Sequence, residues 1–358
     1  MPFVRFRPAV CLGVVFLSAC GGGGSGPTDP PTPTATHTVG AALFYDENGN
    51  GSVDGTENVR IPGATVEIGG RQGQSAPVTG EVMIDGVRAG SLPLTVRAAS
   101  LPPFFVGPAP VNVTVPQSST AFVPVTLPIG SNRPNVYLAF GDSITDGEGS
   151  GDGMGYVSRL QRKLQGHFGR ATLIKDGLTA TRSNRGSDRL PDSLTVRPAY
   201  TLIHYGVNDW NVGECKTSPP CFTIDSLRTM VRDVKFRQGI PVLATIIPAN
   251  PAILETQPDR NQWVAAMDAR IRELARAEGA VLADLEAAFL RETTLSRLFS
   301  DHIHPNDAGY EVMAQAFFEA ITLPAPPGAA AAAPAVPFPS ARPDRALKAR
   351  SSAKAPAR

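Results

Sequence analysis

Ser143 ends an apolar run, Val136-Tyr-Leu-Ala-Phe-Gly-Asp-Ser-Ile-Thr145, that breaks at Gly141-Asp142 before a glycine-rich loop. Such a run reads as a buried strand, and a residue where it ends lies where open α/β sheets gather their chemistry. A serine hydroxyl is a weak nucleophile until a base takes its proton, and the base needs a partner to orient it. The following half of the chain offers His167, His204, His302 and His304. His167 closes a helical stretch, where a solvated or capping role is the default. His204 lies inside Leu202-Ile-His-Tyr205, the setting of a satisfied core histidine. Asp301-His-Ile-His304 differs, because an acid three residues ahead of His304 lets one turn present both. The same residues suggest a metal site, but alternate positions converge poorly and no matching third histidine is near.

A second polar cluster comes earlier. Asp46-Glu-Asn-Gly-Asn-Gly-Ser-Val-Asp-Gly-Thr-Glu57 fits the pattern D-x-[DN]-x-[DN]-G-x5-E in full. The side chains of Asp46, Asn48, Asn50 and Asp54, the Ser52 carbonyl and a bidentate Glu57 supply oxygen donors for calcium, and Gly51 permits the sharp turn. The helices that flank an EF-hand loop are absent from the pattern, so a metal-free polar hairpin loop is the alternative. Through Ile61-Pro-Gly-Ala-Thr-Val-Glu67 the stretch resembles the calcium-loop β-sandwich repeats of bacterial surface adhesins, which implies one structural calcium ion.

These residues need elements to hold them. From about Val39 to Leu127, short apolar runs alternate with turn signals, the texture of a small β-sandwich over residues 39–128. Its expected strands are Val39–Phe44, Ala64–Ile68, Glu81–Ile84, Leu92–Ala98, Val111–Val115 and Ala121–Leu127. A linker at 129–134 leads into a different pattern over 135–323. There, strand-like runs at Val136–Phe140, Thr172–Ile174, Tyr200–Tyr205, Val242–Ile247 and Val281–Asp284 alternate with helical stretches. Ile224, Leu227, Val231 and Val234 recur at helical spacing within Thr223–Gln238, as do Met267, Ile271 and Leu274 within Ala265–Ala277. Asn306–Ile321 opens on an Asn cap. Alternating strands and helices predict a parallel sheet covered on both faces.

The ends of the chain are different in kind. Proline is over-represented there beside runs of Gly and Ala, and such stretches cannot build a core. Residues 1–20 place Arg5 and Arg7 before an apolar run too short to span a bilayer, the layout of a secretory signal. The segment closes on Leu17-Ser-Ala-Cys20, which resembles the lipobox of bacterial lipoproteins. That resemblance implies cleavage before Cys20, acylation of the new N-terminal cysteine, and an exported, envelope-anchored protein; an ordinary signal peptide is the alternative. Residues 21–38 read as a tether, and 324–358 as a disordered Ala/Pro-rich basic tail. Lys+Arg 33 against Asp+Glu 32 leaves a net charge of +1, so no global field favours nucleic acid. For an exported chain, Cys215 and Cys221 are expected to form a disulfide; two free thiols are the alternative, and no further ligands nearby suggest zinc.

Gly141-Asp-Ser-Ile-Thr145, Gly206-Val-Asn-Asp209 and Asp301-His-Ile-His304 occur in order and at fitting intervals. Together with Pro305-Asn-Asp-Ala-Gly-Tyr310, they resemble blocks I, III and V of the SGNH (GDSL-type) hydrolases. The resemblance covers about residues 134–323 and implies a flavodoxin-like α/β fold, ester hydrolysis and no cofactor for catalysis. It implies Ser143 as nucleophile, His304 as base and then acid, and Asp301 as its orienting partner. The oxyanion would be held by the Ser143 N–H, the Asn208 amide and a block II glycine, for which Gly177 is the candidate. Block II departs from the pattern, with Lys175 where Asn is usual and Ala180 where a second Gly is common. The expected substrate is a small-molecule or polysaccharide ester, with carbohydrate O-deacetylase or short-chain esterase ahead of lysophospholipase or thioesterase. The reading from another class is a calcium-dependent adhesion protein with an inactive hydrolase domain.

Overall fold

The structure, a computed structural model, describes residues 34–256 and 259–324. The signal segment with Cys20, most of the tether and the basic tail lie outside the described residues.

The N-terminal region is all strand: β1 (Thr36–Tyr45), β2 (Thr65–Ile68), β3 (Arg71–Gln74), β4 (Glu81–Arg88), β5 (Gly90–Val96), β6 (Val111–Val115) and β7 (Ala121–Val125). They form two sheets, ordered β4-β1-β7 and β3-β2-β5-β6. The pairs are antiparallel except β1–β7, which is parallel. β4 shows why these segments are strands: Val82 and Ile84 are buried while Glu81 and Met83 face solvent, the period-two alternation of a half-covered sheet. β3 escapes the sequence pattern because Arg-Gln-Gly-Gln carries no apolar residue.

The second region follows with β8 (Arg133–Gly141), α1 (Ser143–Asp146), α2 (Gly155–Phe168), β9 (Thr172–Gly177), α3 (Ser183–Ser193) and β10 (Pro198–His204). It continues with α4 (Gly213–Thr217), α5 (Thr223–Phe236), β11 (Ile240–Ala244), α6 (Arg260–Glu278), β12 (Val281–Ala283), α7 (Leu285–Leu290) and α8 (Asp307–Thr322). All five strands run parallel in the order β12-β11-β10-β8-β9. Counted within the domain this is 2-1-3-4-5, the flavodoxin-like order, whose ligands collect where successive connections leave in opposite directions. β10 and β11 are buried along their whole length, as a sheet covered on both faces requires. The helix α3 was not legible from periodicity: Ser-Asn-Arg-Gly-Ser-Asp-Arg-Leu-Pro-Asp-Ser is mostly polar and contains Pro191.

The two regions touch directly. Phe105 packs on Phe168 with ring centroids 6.2 Å apart, and the Asn135 amide donates to Glu47 Oε1 at 2.7 Å. Arg170 lies 3.5 Å from the same carboxylate. Within the stretch 129–134, Ile129 is buried and the Asn132 amide donates to the Arg237 carbonyl at 2.7 Å.

Candidate active site

The turn after β8 delivers Ser143. Asp142 caps α1 by accepting the Ile144 N–H at 3.1 Å, so the serine opens a single helical turn directly at the end of the strand. Ser143 is 3 % exposed, and its Oγ lies 2.9 Å from His304 Nε2. The other ring nitrogen, Nδ1, is 2.7 Å from Asp301 Oδ2. Asp301 Oδ1 meanwhile accepts the backbone N–H groups of Ile303 and His304 at 2.8 and 2.7 Å. Burial alone would raise the Asp301 pKa, but the hydrogen bonds from the His304 ring, His304 N–H and Ile303 N–H outweigh it and lower it. The acid is therefore an anion fixed against the imidazole. Asn306, directly before α8, caps that helix through the Ala308 and Gly309 N–H groups, which anchors the loop from its far end.

Asn208 follows β10, across the sheet's switch point from Ser143. Its Nδ2 donates to the Thr181 carbonyl at 3.2 Å and lies 3.4 Å from Asp142 Oδ2. Asp142 is wholly buried; desolvation, with a contribution from the Asp209 charge, pushes its pKa up to about 7. Asp209 ties this loop to two helices, accepting the Ser183 N–H and hydroxyl at 2.9 and 2.5 Å and the Thr223 hydroxyl at 2.7 Å. Beneath it, buried Arg260 donates to the Val207 carbonyl at 2.9 Å. Burial lowers the Arg260 pKa to about 10.

Gly177 ends β9 in register with Gly141, and a Cβ there would overlap the Asp146 backbone at the end of α1. The glycine lets β9 approach the turn that carries Ser143. The two departures in this block have local reasons. Lys175 Nζ donates to the carbonyls of Asp146 and Gly153 at 2.7 and 3.1 Å and pairs with the Asp146 carboxylate at 3.0 Å, pinning the loop behind Ser143. Ala180 adopts φ +60°, the left-handed conformation that a glycine takes without strain.

The other histidines separate cleanly. His302 is exposed, 3.8 Å from Asp301. His167 is held edge-on between Phe168 and Phe318. His204 is 1 % exposed, as a core position demands, but it is not satisfied: neither ring nitrogen has a hydrogen-bond partner among the described residues. Desolvation lowers its pKa to about 4, so the ring is neutral.

Cys215 and Cys221 are joined as a disulfide. The Cys215 carbonyl accepts the Trp263 indole N–H at 2.9 Å, and Trp263 packs edge-on against Trp210 at 5.7 Å between centroids. The bridge is thus linked through two indoles to the residues just after Asn208.

In the acid-rich loop, Asp46 and Glu57 are both buried. Asp46 accepts the N–H groups of Gly49, Asn50 and Gly51, at 2.7, 3.1 and 2.8 Å. Glu57 folds back to accept those of Glu47, Asn48 and Asp54 at 2.9, 3.4 and 3.3 Å. The first and twelfth positions are therefore both turned inward onto backbone N–H groups of the same loop. Asn48 and Asn50 cap Asn50 and Ser52 N–H groups respectively, and Asn48 Nδ2 donates to Asp54 at 2.6 Å. Among the described residues, no three acidic, histidine or cysteine side chains converge as a metal cluster.

Residues 139–312 match the family model of the GDSL-like lipase/acylhydrolases. The domain is a GDSL-type (SGNH) ester hydrolase. Two solved structures illustrate its likenesses. LAE5, an alpha/beta hydrolase enzyme from the metagenome of Lake Arreo, Spain, is 24% identical over 54% of this chain and 97% of its own, with a TM-score of 0.44. Axe2, an acetylxylan esterase from Geobacillus stearothermophilus, is 24% identical over 55% of this chain and 96% of its own, with a TM-score of 0.45. No curated protein matches the chain.

Two groups beside the hydrolase site carried only weak sequence signals. Asp142 was visible only as a letter of the motif, and its contact with Asn208 spans 66 positions. Glu148, in the glycine-rich loop, places Oε2 3.5 Å from His304 Nε2. Its spacing of five from Ser143 is the one clue the sequence held.

Proposed function

We propose that the domain hydrolyses esters of short acyl groups by a Ser143–His304–Asp301 acyl-enzyme mechanism. The observation that carries this reading is the continuous relay from Ser143 Oγ through both ring nitrogens of His304 to Asp301, at 2.9 and 2.7 Å. His304 Nε2 takes the hydroxyl proton as Oγ attacks the ester carbonyl, and the anionic Asp301 stabilises the imidazolium and fixes its tautomer. The tetrahedral oxyanion is received by the Ser143 and Gly177 N–H groups and by Asn208 Nδ2. The weak 3.4 Å contact of that amide with Asp142 is the one the oxyanion replaces. The intermediate collapses as Nε2 returns its proton to the departing alcohol. Water, deprotonated by the same nitrogen, then releases the carboxylic acid and restores Ser143. The Glu148 carboxylate beside His304 Nε2 is polar and half-exposed, which suits a sugar alcohol carrying a short acyl group. A fluorophosphonate probe should label the folded wild type and not Ser143→Ala; unlabelled folded wild type would instead favour an adhesion protein with an inert hydrolase domain.

The same proposal extends to the rest of the chain. The acid-rich loop binds calcium through Asp46, Asn48, Asn50, Ser52, Asp54 and Glu57, the ion replacing backbone N–H groups on the two buried carboxylates. Its donor set fits, since the first and last ligands are buried carboxylates turned onto the backbone of the same loop. A chelator should lower the Tm of the full chain, and an unchanged Tm would remove calcium from the account. Acylation at Cys20 would hold the protein at the cell envelope, in keeping with the disulfide. Wild type should then enter the detergent phase on phase separation, and Cys20→Ser should stay in the aqueous phase.

A further inference from the structure

Glu148 is the one carboxylate besides Asp301 in ion-pair range of His304 among the described residues, and it meets the opposite nitrogen. Asp301 faces Nδ1, whereas Glu148 Oε2 is 3.5 Å from Nε2, the atom that exchanges protons with the reacting oxygens. Its position is built in. The Glu148 N–H donates to the Ser143 carbonyl at 3.0 Å, and its carbonyl accepts the Tyr310 hydroxyl at 2.6 Å. The next residue, Gly149, has φ +90°, and a Cβ there would overlap Ser300. The backbone is thus wedged between the nucleophile's turn and the loop carrying Asp301 and His304. The carboxylate itself is about half exposed, so it faces whatever occupies the mouth of the site.

Resting on the acyl-enzyme reading above, we propose that Glu148 is a specificity-determining residue that gives the leaving-alcohol side of the site a negative face. To receive its proton, the departing oxygen must come within about 3 Å of Nε2. It then lies no more than roughly 7 Å from Glu148 Oε2, with the first atoms of the alcohol beyond it nearer or farther by a bond or two. At such separations, in a partly solvated site, a unit charge on the alcohol changes the rate about tenfold. Esters of anionic alcohols, glycerophosphates among them, are rejected. Neutral polyols, whose neighbouring hydroxyls donate to a carboxylate, are admitted, and so are cationic alcohols. This bias works against esters whose alcohol carries net negative charge, and it acts on the alcohol rather than on the acyl chain.

The test uses the full chain and three acetate esters at low ionic strength: acetylcholine, its uncharged isostere 3,3-dimethylbutyl acetate, and acetoxyacetate. Wild type should prefer acetylcholine to the isostere about tenfold in kcat/KM and disfavour acetoxyacetate by a similar factor. Glu148→Gln should bring the three rates together, and Glu148→Lys should reverse their order. A merely bracing role for Glu148 would shift the pH profile equally for every ester and leave the charge ratios intact, and that result overturns the proposal. If folded wild type hydrolyses none of the esters, the acyl-enzyme reading falls and this inference with it. If it hydrolyses all three without charge preference, only the inference falls.

Discussion

Asp301 reaches His304 from three residues away, whereas Asn208 is held by Asp142 and Thr181 from 66 and 27 positions along the chain. The acid–base side of Ser143 is thus a local device: one loop, two carboxylate oxygens, and hydrogen bonds to the ring and to two backbone N–H groups. The opposite side is a tertiary device, assembled from the ends of β8, β9 and β10 and locked by Asp209 to α3 and α5. Even the ionisation follows this division. Hydrogen bonding keeps half-exposed Asp301 charged, while burial pushes Asp142 toward neutrality. A local device can be damaged without loosening the fold, but a tertiary one cannot.

The largest effect expected from testing this contrast is on the local side. Asp301→Asn should lower kcat by about 10⁴-fold, because an amide favours the wrong histidine tautomer, with Tm nearly unchanged. Asn208→Ala should lower kcat by about 10²–10³-fold with a smaller change in KM, and it should also reduce Tm because Thr181 and Asp142 lose their partner. Steady-state kinetics beside calorimetry on both variants decides the matter; equal Tm losses would erase the distinction between the two sides.

The smallest effect is a pair of opposed pH dependences in the buried interior. His204, with its pKa lowered to about 4, stabilises the fold fully above its unfolded value near 6.5 and loses that contribution as the pH falls toward 4. Asp142, raised to about 7, has the reverse sign: its contribution is present below the unfolded carboxylate range and is lost as the pH rises through 7. Each is on the order of 3 kcal/mol, so in wild type they largely cancel between pH 4 and 6.5. Asp142→Asn should therefore steepen the fall of Tm on acidification, and His204→Leu should flatten or invert it. Parallel Tm–pH curves for the two variants would contradict the assignment.

The same division explains what could be read from the amino-acid order. Asp301 and His304 were legible because a spacing of three is a structural statement by itself. Ser143 was legible because it ends an apolar run, and the alternation of strands and helices implied a parallel sheet; Asn208 and the flavodoxin-like fold came from the resemblance to the SGNH motifs. Glu148 was not legible, since nothing in Asp-Gly-Glu-Gly-Ser reveals that Gly149 must fit against Ser300. Lys175 looked like a departure from a family pattern until its contacts with Asp146 and Gly153 supplied the reason. The unsatisfied state of His204 was equally invisible, because an apolar run tells that a histidine is buried and not what surrounds its nitrogens. Each of these depends on groups brought together by folding, which periodicity does not encode.

The Phe105–Phe168 contact and the Glu47 link to Asn135 and Arg170 have a consequence for the handling of the chain. A change of composition divides the chain near residues 129–134, but apolar and ionic contacts join the two regions in the fold. Cutting the hydrolase free there would bare Phe168 and strand Asn135 without its carboxylate. The strand-rich region is then a removable accessory in sequence only; in the folded protein it covers Phe168 and pairs with Asn135 and Arg170.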